Sequence, residues 1–254
     1  MRYQRGRERD ASQVVHNGAP TAMYPLKRQK MCLASAQLCL SALALAFVLA
    51  LGGCKVAGFA AVTYDNYQRS GTHRVAEEYK GLAAKSWAVV VIADRSIQAE
   101  TPDLLPWMTR QICERLTKEQ PKIGASGMAP AERVLRYQYD HPTWAAMPYG
   151  ELAKALTVDR LIIVEIIEYR LNEPGNQYLW SGLATGNVGV IESESATPDE
   201  FAFEKPISVR FPDGESFGPT DYDRQTVATR LGGRFIDRAT WLFYSHDEPN
   251  VPKY

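Results

Sequence analysis

Residues Met31 to Leu51 form an apolar stretch interrupted only by Ser35, Gln37 and Ser41. A run of this length can span a bilayer, and few folds can hide one inside a single small domain. It therefore divides the chain. Either it is a permanent membrane helix, or it is the core of an export signal that is cut away. The flanks favour the second reading. Lys27-Arg28-Gln29-Lys30 supplies a positive segment on one side, and Leu51-Gly52-Gly53-Cys54 closes the other with small residues and a thiol.

Leu51-Gly52-Gly53-Cys54 resembles the lipobox of bacterial lipoproteins, which has an aliphatic residue, two small residues and then a cysteine. The small positions let a peptidase grip an extended backbone, and the thiol is the nucleophile that takes up the lipid. The resemblance implies lipidation of Cys54 after removal of residues 1–53. Two acyl chains at about 0.8 kcal/mol per buried CH2 anchor stably where one would be marginal. By the same resemblance, Lys55 points to the outer membrane, facing the periplasm. Residues 1–22 are polar and precede Met23, from which a signal peptide of ordinary layout begins. We read 1–22 as an upstream extension, 23–53 as the signal peptide and 54–85 as anchor and tether. An α/β domain over 86–245 and a tail over 246–254 complete the chain.

Removing the leader also changes the charge. Residues 1–53 hold seven basic residues (Arg2, Arg5, Arg7, Arg9, Lys27, Arg28, Lys30) and two acidic ones (Glu8, Asp10); subtracting them from 29 and 29 leaves 22 basic and 27 acidic groups. A mildly acidic product without a basic block argues against nucleic acid, whose binding needs clustered Lys and Arg. Cys32 and Cys39 leave with the signal peptide. With Cys54 lipidated, Cys113 has no intrachain partner and reads as a small buried hydrophobe.

In the remaining chain, Trp87 to Ile92 is a continuous β-rich run, the mark of a strand buried on both faces. Leu105, Met108, Ile112 and Leu116 then recur at helical spacing, after a start signal at Thr101-Pro102-Asp103. Lys122–Ser126 reads as a short strand, Ala131–Tyr139 and Glu151–Leu156 as helices, and Leu161–Ile167 as the strongest strand. A short helix is expected near Val75–Tyr79. Residues 178–192 and 201–211 read as an antiparallel pair. Thr220 or Asp221 caps a last helix carrying Val227, Leu231, Phe235, Ala239 and Leu242 on one face; Gly232-Gly233 either weakens it or permits close packing. The expectation is one α+β domain, a mixed sheet flanked by helices in the order β-α-β-α-α-β-β-β-α.

Chemistry is sparse. Past Cys54 there is no G-x-S-x-G, S-x-x-K, phosphate-binding glycine loop, H-E-x-x-H or C-x-x-C. His73, His141 and His246 lack ligand spacing, so no metal or other cofactor is expected. Glu165 interrupts an apolar strand: it is either a cleft carboxylate for acid–base work or a charge at a sheet edge or beside Arg160 or Arg170, and the second reading is preferred. Glu168, Glu192 and Glu194 read as solvated charges. Asp94 ends the first strand, where open α/β sheets bind ligands, though turns use Asp constantly. Trp144, Trp180 and Trp241 form either a binding patch or core.

Tyr79-Lys-Gly-Leu82 running into Ala88-Val-Val-Val-Ile92, the stretch Glu151-Leu-Ala-Lys-Ala-Leu-Thr-Val-Asp-Arg-Leu-Ile-Ile-Val164, and Trp180-Ser-Gly182 together resemble one group of envelope lipoproteins. That group carries an α/β domain similar to the TolB amino-terminal domain and the curli-secretion lipoprotein. The resemblance transfers no catalytic residue, and the pore-forming hairpins of the curli lipoprotein are not evident. It implies a membrane-tethered, non-catalytic module that binds envelope proteins or supports an assembly. The alternatives are an enzyme acting on cell-wall or lipid material through Glu165 or Asp94, and a homo-oligomeric secretion component.

Overall fold

The structure is a computed structural model that describes residues 71–214 and 216–250. Cys54, the leader, Met23 and the tether up to residue 70 lie outside the described residues. Six α-helices and seven strands follow in the order β1 (Thr72–Val75), β2 (Ser86–Ala93), α1 (Arg95–Glu100), α2 (Leu104–Lys118), α3 (Gln120–Ile123), β3 (Gly127–Met128), α4 (Ala131–Asp140), α5 (Tyr149–Leu156), β4 (Arg160–Arg170), β5 (Gly182–Glu192), β6 (Phe201–Phe211), α6 (Arg224–Trp241) and β7 (His246–Pro249). The expected α+β class and mixed sheet are what the chain forms: a five-stranded sheet in the order β3-β2-β4-β5-β6. Strands β3, β2 and β4 are parallel; β5 and β6 join antiparallel.

Side chains alternate between two cores. Trp87, Val89 and Val91 of β2 and Ile162, Val164 and Ile166 of β4 pack under α2 and α6. Ala88 and Val90, with Leu161 and Ile163, pack under Val134 of α4 and Leu152, Ala153 and Leu156 of α5. Burial on both faces is why these strands read as unbroken apolar runs. The helical cover of the second face ends beyond Ile163, and the next residue of β4 pointing that way is Glu165, which is exposed. Its place in an apolar strand thus follows from where the helices stop. The outer edge strand β6 carries Lys205 and Pro206, which oppose pairing with another chain.

Two glycines answer the question left open for α6. A Cβ on Gly232 would stand 2.5 Å from the Trp107 ring, so this glycine lets α2 and α6 approach closely, while a Cβ on Gly233 would meet open space. Several elements differ from the reading of the sequence. Val75–Tyr79 is not helical; Thr72–Val75 is a strand that pairs with His246–Pro249, so part of the expected tether and tail forms a separate two-stranded ribbon. Both strands are short and polar, without the apolar alternation that marks a strand. The expected strand at Lys122–Ser126 sits at Gly127–Met128 instead, because Gln120–Ile123 closes as a helical turn ended by Gly124 in the left-handed conformation. Asp223, not Thr220 or Asp221, caps α6 by accepting from the Thr226 amide.

Candidate functional site

β2, β4 and β6 all begin at one end of the sheet, here the lower end. Arg160, the first residue of β4, is 5% exposed there. A buried guanidinium has to be paired and hydrogen-bonded, and this one is held from several sides. It donates to Glu194 at 2.6 Å and to the carbonyls of Gly81 and Asp159, and lies 3.6 Å from Glu192. Tyr79 donates its hydroxyl to Glu192 at 2.8 Å, and Lys85 pairs with Glu194. Asp159 accepts from both the amide and the hydroxyl of Ser86. Hydrogen bonds from Arg160 and Lys85 hold the Glu194 carboxyl below its ordinary range, and those from Ser86 do the same for Asp159. Burial, then the neighbouring Glu192, pushes the Tyr79 phenol up. Glu192 and Glu194, read from the sequence as solvated charges, are thus the partners of a buried arginine. Glu168 pairs with Arg170. Neither arginine reaches Glu165, whose cross-strand neighbour is Asn187; its charge acts on Tyr149, second to burial, in raising that phenol.

The upper end, where β2 stops, is built differently. Of the helices between β2 and β3, α2 lies on one face of the sheet, and the helix after β3, α4, lies on the other. Crossovers that leave adjacent parallel strands for opposite faces open a crevice at the strands' carboxyl ends, where open α/β sheets bind ligands. A cavity of about 460 Å³ lies there, floored by Val91–Ala93 and walled by Leu105, Leu135, Tyr139 and Trp144. Its polar lining is the side-chain amides of Gln98 and Gln138 together with Arg110, and Arg110 is 3.7 Å from Glu132 at the rim. Tyr139 is 85% exposed.

Asp94 is exposed and accepts from the Arg95 amide, capping α1. It is beside the groove but turned into local structure, and Glu165 lies on the open sheet face, so the structure does not bring the two acids together. Among the three tryptophans, Trp144 lines the groove, Trp180 is buried and donates to the Tyr222 carbonyl, and Trp241 stacks on His246. They do not form one patch. Cys113 is buried in α2, where burial pushes its thiol up to about 12, unsuited to nucleophilic chemistry. No group of three or more His, Cys, Asp or Glu side chains able to hold a metal occurs among the described residues.

No family model and no curated protein matches this chain. Solved structures resemble it distantly. A variant PelC dodecamer from Paraburkholderia phytofirmans aligns over 68% of this chain and 98% of its own, with a TM-score of 0.39 and 10% identity. Lipoprotein GNA1162 from Neisseria meningitidis aligns over 61% and 97%, at 0.38 and 11%. Protein XCC0632 from Xanthomonas campestris aligns over 68% and 90%, at 0.36 and 12%. Likenesses this distant carry no argument about what the chain binds or does.

Proposed function

We propose that the chain is a periplasmic lipoprotein, held to the outer membrane through Cys54, whose α+β domain is a non-catalytic binding or assembly module of the envelope. The observation that carries the binding half is the groove at the upper end of β2. It occupies the position where this class of sheet takes ligands, and it sets the side chains of Leu105, Leu135, Tyr139 and Trp144 beside Gln98, Gln138 and Arg110. General acid–base work needs a titratable group aimed at the bound molecule. Asp94 instead spends its carboxylate on a helix cap.

The anchoring half rests on Leu51-Gly52-Gly53-Cys54. Metabolic labelling with a palmitate analogue tests it: the wild-type chain should be labelled and sediment with membranes, and Cys54→Ser should lose both properties. A labelled Cys54→Ser protein would overturn the anchor. For the binding half, a photocrosslinker at position 139 in native membranes should give one reproducible adduct that the same group at position 167, on the open sheet face, does not give.

A further inference from the structure

A second cavity, of about 320 Å³, lies between α2 and α6 beside Tyr169 near the end of β4, and of its lining residues only Pro102 also borders the groove. Its aromatic wall is Trp107, a half-buried ring that the missing side chain of Gly232 lets sit against α6. Two hydroxyls in the lining have spent their hydrogens inward. Thr101 donates to the Ile97 carbonyl at 2.8 Å, and Tyr169 donates to the Ala228 carbonyl at 2.9 Å. A hydroxyl has one hydrogen and a carbonyl can only accept, so neither has a hydrogen left for a bound molecule, and both keep lone pairs. Burial pushes the Tyr169 phenol up to about 12, against the pull of Arg224, so it stays a neutral hydroxyl. Gln225 and Thr229 bond to each other and add no charge.

Asp103 is the one charged residue of the lining. Asp94 and Asp223 stand at the starts of α1 and α6 and spend their carboxylates on backbone amides. Asp103 stands at the start of α2 and makes no such bond, and its carboxylate has no partner among the described residues. We infer that this pocket binds a small organic cation with N–H donors, a protonated primary amine, between the Asp103 carboxylate and the Trp107 ring. An indole face attracts a cation, the carboxylate supplies the counter-charge, and the Thr101 and Tyr169 oxygens accept from an ammonium, which has three hydrogens to give. The inference goes beyond the groove and does not depend on it.

An anion fits less well, although two helices begin beside the pocket and helix starts favour negative charge. The first-turn amides are largely taken. On α2 the Leu104 amide donates to the Thr101 carbonyl, and Pro106 has no N–H. On α6 the Asp223 carboxylate accepts from the Thr226 amide and lies against the Gln225 amide too. An incoming anion would also meet Asp103. No Lys, Arg or His lines the cavity; Arg224 is an exposed neighbour outside it.

Titrating n-butylammonium chloride into the full chain in detergent, with the indole N–H resonance of Trp107 as readout, tests this. Trp107→Phe assigns that resonance by its loss, and the remaining indole resonances show that each variant is folded. The Trp107 resonance should shift saturably. n-Butanol, which has the shape without the charge, and tetramethylammonium, which has the charge without an N–H, should each bind at least about tenfold more weakly. Asp103→Asn should weaken n-butylammonium binding at least about tenfold, and Asp140→Asn, on α4, should leave it unchanged. Competition by phosphatidylethanolamine bicelles, and not by phosphatidylglycerol ones, would make a lipid headgroup the source of the amine; competition by soluble ethanolamine alone would make it a free amine. Either result supports the site. No saturable shift, butyrate binding as tightly as n-butylammonium, or indifference to Asp103→Asn would overturn it. So would equally tight binding of tetramethylammonium, which cannot use the two hydroxyls. Each of these failures leaves the Cys54 labelling result and the crosslink from position 139 standing.

Discussion

At the lower end of the sheet, Arg160, Glu192, Glu194, Tyr79 and Lys85 spend their polar groups on one another. At the upper end, β2 stops beneath a groove walled by Leu105, Leu135, Tyr139 and Trp144 and floored by Val91–Ala93, which β4 flanks on one side and β3 does not reach on the other. Both ends contain unusual features, a buried charge in one case and an exposed tyrosine in the other. The difference lies in whether those features are already satisfied. A buried charge that is fully hydrogen-bonded is explained by folding alone. A crevice at the carboxyl end of parallel strands is not explained by folding in that way, and it is the place where open α/β sheets in general bind ligands.

Arg160→Met separates the two ends most sharply. It removes the donor from two carbonyls and the Glu194 carboxylate and the positive charge beside Glu192, and it should cost about 3 kcal/mol in urea unfolding. The adduct expected from a photocrosslinker at position 139 should survive in the folded fraction. A loss under about 1 kcal/mol would mean that Glu192, Glu194 and the carbonyls find water when the arginine goes, and that the lower end is less closed than its geometry indicates.

A second pair of variants asks whether the openness of the upper end is confined to the groove. On the α2–α6 side Trp107 lies on Gly232, and Gly232→Ala should cost about 1–3 kcal/mol through overpacking. Its neighbour behaves oppositely: Gly233→Ala has room and should stabilise the helix by about 0.5–1 kcal/mol. Thermal melts of the two variants should move in opposite directions. Equal shifts would show that α2 and α6 are not in close contact there.

Acid should act on the lower end and leave the groove's lining untouched. Asp159 and Glu194 titrate below their ordinary values of 3.8 and 4.5 in the folded protein. A lowered folded pKa contributes stability that is complete above the ordinary value and disappears as the pH falls through the folded one. Stability should therefore hold through neutral pH and decline below the ordinary carboxylate range, with Glu194→Gln showing a shallower decline. A Glu194→Gln profile parallel to the wild type would remove Glu194 from the network.

What was legible in the sequence follows the same division. Runs such as Trp87–Ile92 and Leu161–Ile167 announce doubly buried strands because local periodicity reports burial directly. The α2 stripe of Met108, Ile112 and Leu116 does likewise. The partners of Arg160 were hidden because Gly81, Glu192 and Glu194 are distant in sequence and meet only after β5 returns beside β4. The β1–β7 ribbon was hidden because Thr-His-Arg-Val and His-Asp-Glu-Pro carry no strand pattern. Asp94 did mark the correct end of β2. The groove itself, assembled from positions between Val91 and Ala145 on several elements, had no linear signature, and β3 stops short of it because the chain turns into α4 at Pro130.

The smallest expected effect bears most directly on the groove. Tyr139 is solvated in the free protein, so Tyr139→Glu should change unfolding free energy by no more than about 0.5 kcal/mol. A residue that packs into the fold cannot be exchanged for a charge so cheaply, and a residue with no role has no reason to alter binding. The variant therefore sharpens the contrast between the ends only if both measurements are taken on it: stability unchanged, and the adduct from a photocrosslinker at position 138 of the groove lost. Should Tyr139→Glu instead unfold the protein as readily as Arg160→Met, the tyrosine would be closing the groove from within, and the upper end would be as self-satisfied as the lower.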